Sequence, residues 1–466
     1  MPANNGDTTN ATTLYLADWI LPVSRPPFRR GGIAVTGSRI VCVDRERALR
    51  SRYPEAEVRD FGPAALLPGL VNVHCHLELT VMRGLLEERS FSRWLLKLTR
   101  SRNQLSSEDL IDSARAGVCE AIRSGQTTLA DVGATTSGFI ALCESGLRGI
   151  AFQEVIALRP GDAEPSLDAL ARRVSELRAH PARTEEVLVG VSPHAPYTVT
   201  AELFRRVSVL ALRESLPICI HVAESEAEDQ FLRHGRGDFA LLYRTRLIRW
   251  TPPRCSPIAY LHQLGILDAR PLLIHCVRAD EEDVRLIAES GSSIAHCPTS
   301  NAKLGHGIAP LARFLRARIP VGLGTDSVAS NNLCDLLGEA RFCVLLHRAA
   351  AIGDERSRIS PWLTPTDILQ MATLGGARAL SLDNRIGSLE EGKEADFTVI
   401  TLAHLHTQPI YDPVTAIIFS CRAEDVIFTA VAGRVLYDGH RVRTMDEDRL
   451  SARLKEISTR LASGGK

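Results

Sequence analysis

An α/β fold, a (β/α)8 barrel flanked by a small β-sandwich assembled from both chain ends, is the fold class this sequence predicts. Three observations carry it. Eight short apolar runs lie between residues 66 and 326, each followed by a segment with helical patterning. Histidines and carboxylates gather at the ends of those runs, where barrel enzymes build their sites. Residues 13–65 and 384–440 instead hold short alternating segments broken by turn residues, the pattern of half-buried strands.

The runs are "LLPGLVNVHCH" (66–76), "TTLADVGA" (127–134), "GIAFQEVI" (149–156), "EVLVGVSPH" (186–194), "PICIHVAE" (217–224), "PLLIHCV" (271–277), "SSIAHCP" (292–298) and "PVGLGTD" (320–326). They are continuously apolar, as strands are when helices cover both faces of a parallel sheet. Within the first, "ALLPGLVNV" reads as one buried strand. Between runs lie helical patterns such as "SSEDLIDSARAGVCEAIRSG" and "EEDVRLIAESG", each closed by a glycine where a helix C-cap wants one. The predicted organisation is residues 1–65 and 384–445 as the two parts of the sandwich, 66–383 as the barrel, and 446–466 as a charged surface helix. The stretch 243–257, "YRTRLIRWTPPRCSP", reads as a loop over the barrel mouth.

Composition narrows the partners. Hydrophobic content of 45% in 466 residues describes a globular chain large enough for a barrel plus a small domain. Lys+Arg and Asp+Glu both number 55, so no net charge draws the chain to nucleic acid or an anionic membrane. The 11 cysteines contain no C-x-x-C pair, which suits a reducing cytoplasm better than a disulfide framework. No basic segment precedes an apolar one at the N-terminus, and no run reaches membrane-spanning length, so neither a leader nor a membrane span is expected.

His74 and His76 close the first run one residue apart. Alternation on a strand puts both imidazoles on one face and Cys75 on the other. Two charged imidazoles there would repel, and burial would depress their pKa values. A shared metal ion, which neutral imidazole ligates, removes the conflict; the alternative is a pair of satisfied core histidines. His194 ends the fourth run, His221 and Glu224 the fifth, and Asp326 the eighth, while His275 and His296 lie near the ends of the sixth and seventh. Core histidines have no reason to gather at the C-terminal ends of barrel strands, so a metal site is expected.

Zinc and iron(II) accept three imidazoles and a carboxylate with an open position for water, and His74, His76, His221 and Asp326 supply that set. One divalent ion, zinc before iron, is the expected cofactor. It would lower the pKa of its water from about 15.7 towards about 7. Asp326 has a second oxygen to act as base, Glu224 sits where a proton shuttle is needed, and His275 can polarise the attacked atom or hold the hydroxide. The alternatives are a helix N-terminal charge for Glu224 and a core histidine for His275. A two-metal site would want a carboxylated lysine or a bridging glutamate. None of the lysines (97, 303, 393, 455, 466) lies near a strand end, and Glu154 is the one candidate bridge, so a single metal is expected.

The motifs "PGLVNVHCHLE", "HVAES", "HCV", "HCPTSNAKLGHGIAP" and "GTDSVASNN" resemble the amidohydrolase superfamily in its cytosine/adenosine deaminase-like branch, over residues 13 to 440. The resemblance implies metal ligation by His74, His76, His221 and Asp326, acid–base work by Glu224 and a hydroxide-associated His275. "SPHAPYT", "MRG" and "SNAKLGHGIAPL" look like the branch members that deaminate 6-aminopurine nucleosides, among them S-adenosylhomocysteine/methylthioadenosine and aminodeoxyfutalosine deaminases. "HLEL" and "W-x-P-P-x-x-SP" favour the aminodeoxyfutalosine group. By the same resemblance Arg83 and His194 lie near substrate, Arg83 facing a substrate carboxylate, and the chain is a homodimer or larger homo-oligomer. The alternatives are a surface arginine and a packing histidine. His296 is read as supporting the ligands from behind, and His306 as a loop residue, either solvated or in contact with substrate. Two other readings stand beside the deaminase: a triazine-type chlorohydrolase or cyclic-amide hydrolase with the same metal, and a non-catalytic scaffold.

Overall fold

The computed structural model describes residues 11–88, 90–351 and 363–463. The first ten residues, which bear on the leader, lie outside that range. Five strands come first: β1 (Thr12–Ile20), β2 (Phe28–Thr36), β3 (Arg39–Arg45), β4 (Glu57–Asp60) and β5 (Ala64–Pro68). Eight more follow, β6 (Leu70–Cys75), β7 (Gln126–Gly133), β8 (Arg148–Val155), β9 (Val187–Pro193), β10 (Cys219–Val222), β11 (Leu272–His275), β12 (Ser293–His296) and β13 (Val321–Leu323). The last three are β14 (Phe397–Thr401), β15 (Val426–Val431) and β16 (Arg434–Tyr437).

The strands from the two chain ends meet, as expected of one domain built from both, in one hydrogen-bonded sheet. Its order is β16-β15-β14-β5-β1-β2-β3, with β4 also pairing β1. The cause is β5, which pairs in parallel with β1 through Ala65 and Leu66 and antiparallel with β14 along its whole length. Tyr15, Phe397 and Phe428 pack together on this sheet, with Tyr15 and Phe397 centroids 4.8 Å apart.

The first apolar run is therefore two strands, not one. It divides at Gly69 between β5 of the end sheet and β6 of the central array. A Cβ at Gly69 would lie 2.1 Å from the Thr127 side chain, so only glycine lets the chain pass β7 this closely.

β6 to β9 and β10 to β13 form two four-stranded parallel sheets. Isolated parallel bridges link them at both seams, Val191 to Ile218 and Cys75 to Asp326. Val73, Val132, Phe152, Cys219, Ile274 and Ala295 form one apolar cluster, while Ile220, Val222, Leu273 and Ile294 pack outward with helical residues such as Val207, Leu261 and Ile287. That alternation decides where each functional side chain points: His221 shares the inner face with Cys219, and His296 the outer face with Ile294.

Two corrections concern the periphery. Residues 243–245 end the helix Gly237–Thr245, the rest of the stretch up to the helix that starts at Pro257 is loop, and Trp250 of that loop stacks on Phe231 at 3.7 Å. The helix Glu447–Ser463 is not merely a charged surface element, because Leu450, Ile457 and Leu461 are buried. Arg453 and Arg460 of that helix bond Asp109 on the helix Ser107–Arg123. No helix among the described residues is long and apolar enough to cross a membrane.

Arg148 at the start of β8 is fully buried and donates to Asp396 from Nε at 2.7 Å and Nη2 at 3.2 Å, tying the parallel array to the end sheet. Asp396 also accepts the Ala432 amide. Arg148→Met would leave a buried carboxylate without its cation, and breaking such a pair costs about 3–5 kcal/mol. The expected result is a lower urea midpoint with an unchanged m value; an unchanged midpoint would mean the pair contributes nothing net.

Candidate active site

The strand ends bring the expected residues together. His74 and His76 follow a register shift between Asn72 and Cys75 in the β6–β7 ladder, which lets His74 join the inner face after Val71 and Val73. Asp326 Oδ1 lies 3.2 Å from His74 Nε2 and 3.5 Å from His76 Nε2. The His221 ring is 4.9 Å from that of His74 and 5.4 Å from that of His76, centroid to centroid. His74, His221 and His275 also present ring nitrogens within 4.8 Å of one another.

Hydrogen bonds set the tautomers. His76 Nδ1 donates to the Val132 carbonyl at 2.8 Å and His221 Nδ1 to the His194 carbonyl at 3.3 Å, leaving both Nε2 lone pairs free. Burial pushes His74 down to about 4, against the upward pull of Asp326. Burial and the neighbouring imidazoles push His221 well below its usual range. Burial pushes the Asp326 carboxyl up, but the His74 hydrogen bond and the nearby histidines hold it well below the carboxylate range. At neutral pH His74 and His221 are thus neutral and Asp326 ionised, the protonation states that metal ligation by these three requires.

The spacing fits one as well. Bonds of about 2.0–2.2 Å in a tetrahedral site place ligand atoms about 3.3–3.5 Å apart, close to the separations from Asp326 to His74 and His76. His76 and His221 also each give their second ring N–H to a carbonyl, as metal-ligating histidines do.

Several residues that fix this arrangement were missed in the sequence. Asp326 Oδ2 accepts from Ser300 Oγ at 2.5 Å and Ser330 Oγ at 2.9 Å, so its other oxygen is turned to the histidines. Asn72 donates to Thr325 Oγ1 at 2.8 Å and accepts the Thr325 and His74 amides, pinning both flanks of the centre. Ser300 and Ser330 lie within the quoted motifs, but nothing in their spacing marks them as partners of Asp326. Ala223, His275, Cys276 and Asp326 have φ between +49° and +74°, left-handed backbone that side-chain-bearing residues adopt at a cost. Strain at three strand ends around one centre is a further mark of a functional site.

Glu224 is buried beside two further imidazoles. Its Oε1 lies 3.6 Å from His275 Nε2 and 3.3 Å from His306 Nε2. Burial pushes its carboxyl up, but His275 and His306 outweigh that and hold it below the usual value. His275 Nδ1 donates to Asn301 Oδ1 at 2.9 Å, so its Nε2 faces the pocket. Glu228 accepts the Glu224 amide at 2.8 Å, and burial pushes its own carboxyl up to about 8. His306 thus belongs to the pocket and is not a solvated loop residue; its ring meets Phe91 edge-on at 4.6 Å. Phe91 leads on to Phe239 at 6.3 Å, Tyr197 at 4.2 Å from Phe239, and His194 at 5.7 Å from Tyr197, an aromatic arc along one side of the pocket.

Two expectations need correcting. Arg83 does not offer a free guanidinium to a substrate carboxylate: both Nη atoms bond Glu120, and Nη1 also donates to the Asn332 carbonyl. The glycine after it turns the chain, and the arginine clamps the loop after β6 to the segment after β13. His296 does not back the ligands. Its Nε2 is 3.1 Å from His347 Nε2 on the helix Leu336–Ala350, on the outer face of β12.

A buried set of imidazoles and carboxylates at the ends of parallel strands is the arrangement of a metal-dependent hydrolase, and the comparisons place the chain among hydrolases of carbon–nitrogen bonds. The model of the amidohydrolase family matches residues 65–436, and this chain belongs to that family. A curated relative from Syntrophobacter fumaroxidans, a 5-methylthioadenosine/S-adenosylhomocysteine deaminase, is 33% identical over 92% of this chain and 93% of its own length. The crystal structure of a zinc-bound adenosine deaminase from Xanthomonas campestris superposes with a TM-score of 0.86 at 28% identity, covering 97% of this chain and 99% of that one. That of an atrazine chlorohydrolase from Arthrobacter aurescens complexed with zinc gives 0.82 at 25% identity, covering 96% and 100%.

Proposed function

We propose that this chain is a metal-dependent deaminase of 6-aminopurine nucleosides. The observation that carries the reading is Glu224: a buried carboxylate three residues past His221, between the Nε2 atoms of His275 and His306, where a proton must pass from water to a ring nitrogen. The two parallel half-sheets, bridged at both seams, are read as a closed (β/α)8 barrel whose mouth holds the site. His74, His76, His221 and Asp326 would hold one divalent ion, with zinc favoured by the zinc-bound neighbours. Such an ion, when bound, makes water acidic enough to attack at neutral pH.

The remaining work falls to this chain's own groups. Glu224, ionised at rest, takes one proton from the attacking water and gives it to the ring nitrogen beside C6; the second water proton passes from the new C6 hydroxyl, by way of the Asp326 carboxylate, to the amino group, so that the C6–N bond breaks and ammonia leaves. His275, with its Nδ1–H tied to Asn301, keeps Nε2 directed at the attacked carbon's oxygen. Ser300 and Ser330 keep Asp326 turned inward. The aromatic arc from Phe91 to Tyr197 offers a stacking wall for the purine.

Aminodeoxyfutalosine loses its main physical support with Arg83 committed to Glu120. The curated relative's name puts 5′-methylthioadenosine and S-adenosylhomocysteine beside it. Ten of the eleven cysteines are buried and all are unpaired, in keeping with a cytoplasmic setting. The test is ammonia release by the zinc-loaded protein from adenosine, 5′-methylthioadenosine, S-adenosylhomocysteine and aminodeoxyfutalosine, with chloride release from atrazine in parallel. Turnover of at least one nucleoside and no dechlorination is the expected result. Chloride release alone would replace this reading by the chlorohydrolase one, which the fold and zinc of the Arthrobacter enzyme also suit.

A further inference from the structure

The carboxylate of Glu154 takes no part in the chemistry above, yet the structure sets it inside the pocket. It stands near the end of β8, paired in register with Ser192 of β9 and on the same inner face as Phe152. Its side chain is 15% exposed, and His194 Nε2 lies 3.9 Å from its Oε1. Among the described residues no hydrogen bond reaches the carboxylate; Arg173, the nearby cation, spends its Nη atoms on the carbonyls of Ala134 and Glu154.

The tautomer of His194 makes the gap more telling. Thr198 Oγ1 donates to the Ala195 carbonyl at 3.1 Å, so it accepts from His194 Nδ1–H at 2.6 Å. His194 Nε2 then carries a lone pair. Two acceptors, a carboxylate and an imidazole nitrogen, face each other across the pocket wall with no donor between them. Neither the Glu154 oxygens nor His194 Nε2 is sealed from solvent, so a ligand that brings donors can displace water and bond both. Both groups lie next to His221, with their ligand atoms and its ring nitrogen within 4.8 Å of one another, so whatever fills the gap sits beside the reaction centre.

We infer that Glu154 and His194 are the specificity-determining pair for a vicinal diol, the 2′- and 3′-hydroxyls of the ribose. A cis-diol brings two O–H donors on adjacent carbons, one for each acceptor, and a charge-assisted bond to Glu154 is the stronger of the two. The same carboxylate opposes an anionic substituent at this part of the wall. The inference rests on the nucleoside reading above and names which part of the nucleoside this wall recognises.

The experiment compares adenosine with 2′,3′-dideoxyadenosine on the wild-type zinc enzyme and on Glu154→Gln, with zinc measured in both. Wild type should favour adenosine. Glu154→Gln should lose about ten- to hundredfold in kcat/KM on adenosine, most of it in KM, and almost nothing on the dideoxynucleoside. Equal losses on both substrates, or a wild type indifferent to the hydroxyls, would overturn the inference while leaving the deaminase reading intact. A drop from two zinc ions to one in the variant would also overturn it and make Glu154 a ligand to a second metal. Wild type inactive on these two and on every nucleoside of the panel above would end the deaminase reading, and this inference with it.

Discussion

Glu224→Gln should lower kcat by about 10²–10⁴ while leaving zinc content unchanged, because an amide keeps the shape of the carboxyl but cannot carry the proton. The structure makes the expectation specific. Glu224 touches none of the proposed ligand atoms; its neighbours are His275 Nε2 at 3.6 Å and His306 Nε2 at 3.3 Å. A glutamine there still accepts from an imidazole N–H, so the pocket need not rearrange, and KM should move little. Parallel measurement of kcat, KM and zinc per chain decides the matter. Near-normal turnover would pass the proton role to another group, and His275 is the next candidate. A loss of zinc with the activity would instead make Glu224 part of the metal site.

The second large effect concerns the metal. Asp326→Ala and His74→Ala should each reduce bound zinc from about one ion per chain to background and abolish turnover, since three remaining ligands no longer close the set. Ser300→Ala probes the support behind Asp326. It removes one of the two hydroxyls bonded to Oδ2 and should weaken zinc binding by about 10–100-fold, the usual cost of losing a partner of a ligating carboxylate. Elemental analysis after competition with a chelator reads both effects. Full zinc retention in Asp326→Ala would move the site to the His74, His221 and His275 group, which also converges within 4.8 Å.

Sequence alone determined a good deal. Each of strands β6 to β13 coincides with one of the eight apolar runs, β7 and β8 starting one residue before theirs, because a strand covered on both faces must be largely apolar and its helices amphipathic. His74, His76, His221, Glu224, His275 and Asp326 could be singled out because only a shared site at the strand ends explains titratable groups in such apolar surroundings. Other features had no local signal. "ALLPGLVNV" splits between two sheets because of how closely Gly69 passes Thr127, a contact between residues 58 positions apart. The two chain ends merge into one sheet because β5 has a partner on each side, and pairing partners are invisible in a single strand's pattern. Arg83 carries the same charge whether it faces a substrate or Glu120, and His296 is the same residue on either face of β12. Only three-dimensional packing settles such cases, because a side chain's partner depends on which distant segment lies opposite. The same holds for Glu154, which only the fold sets beside His194 and His221.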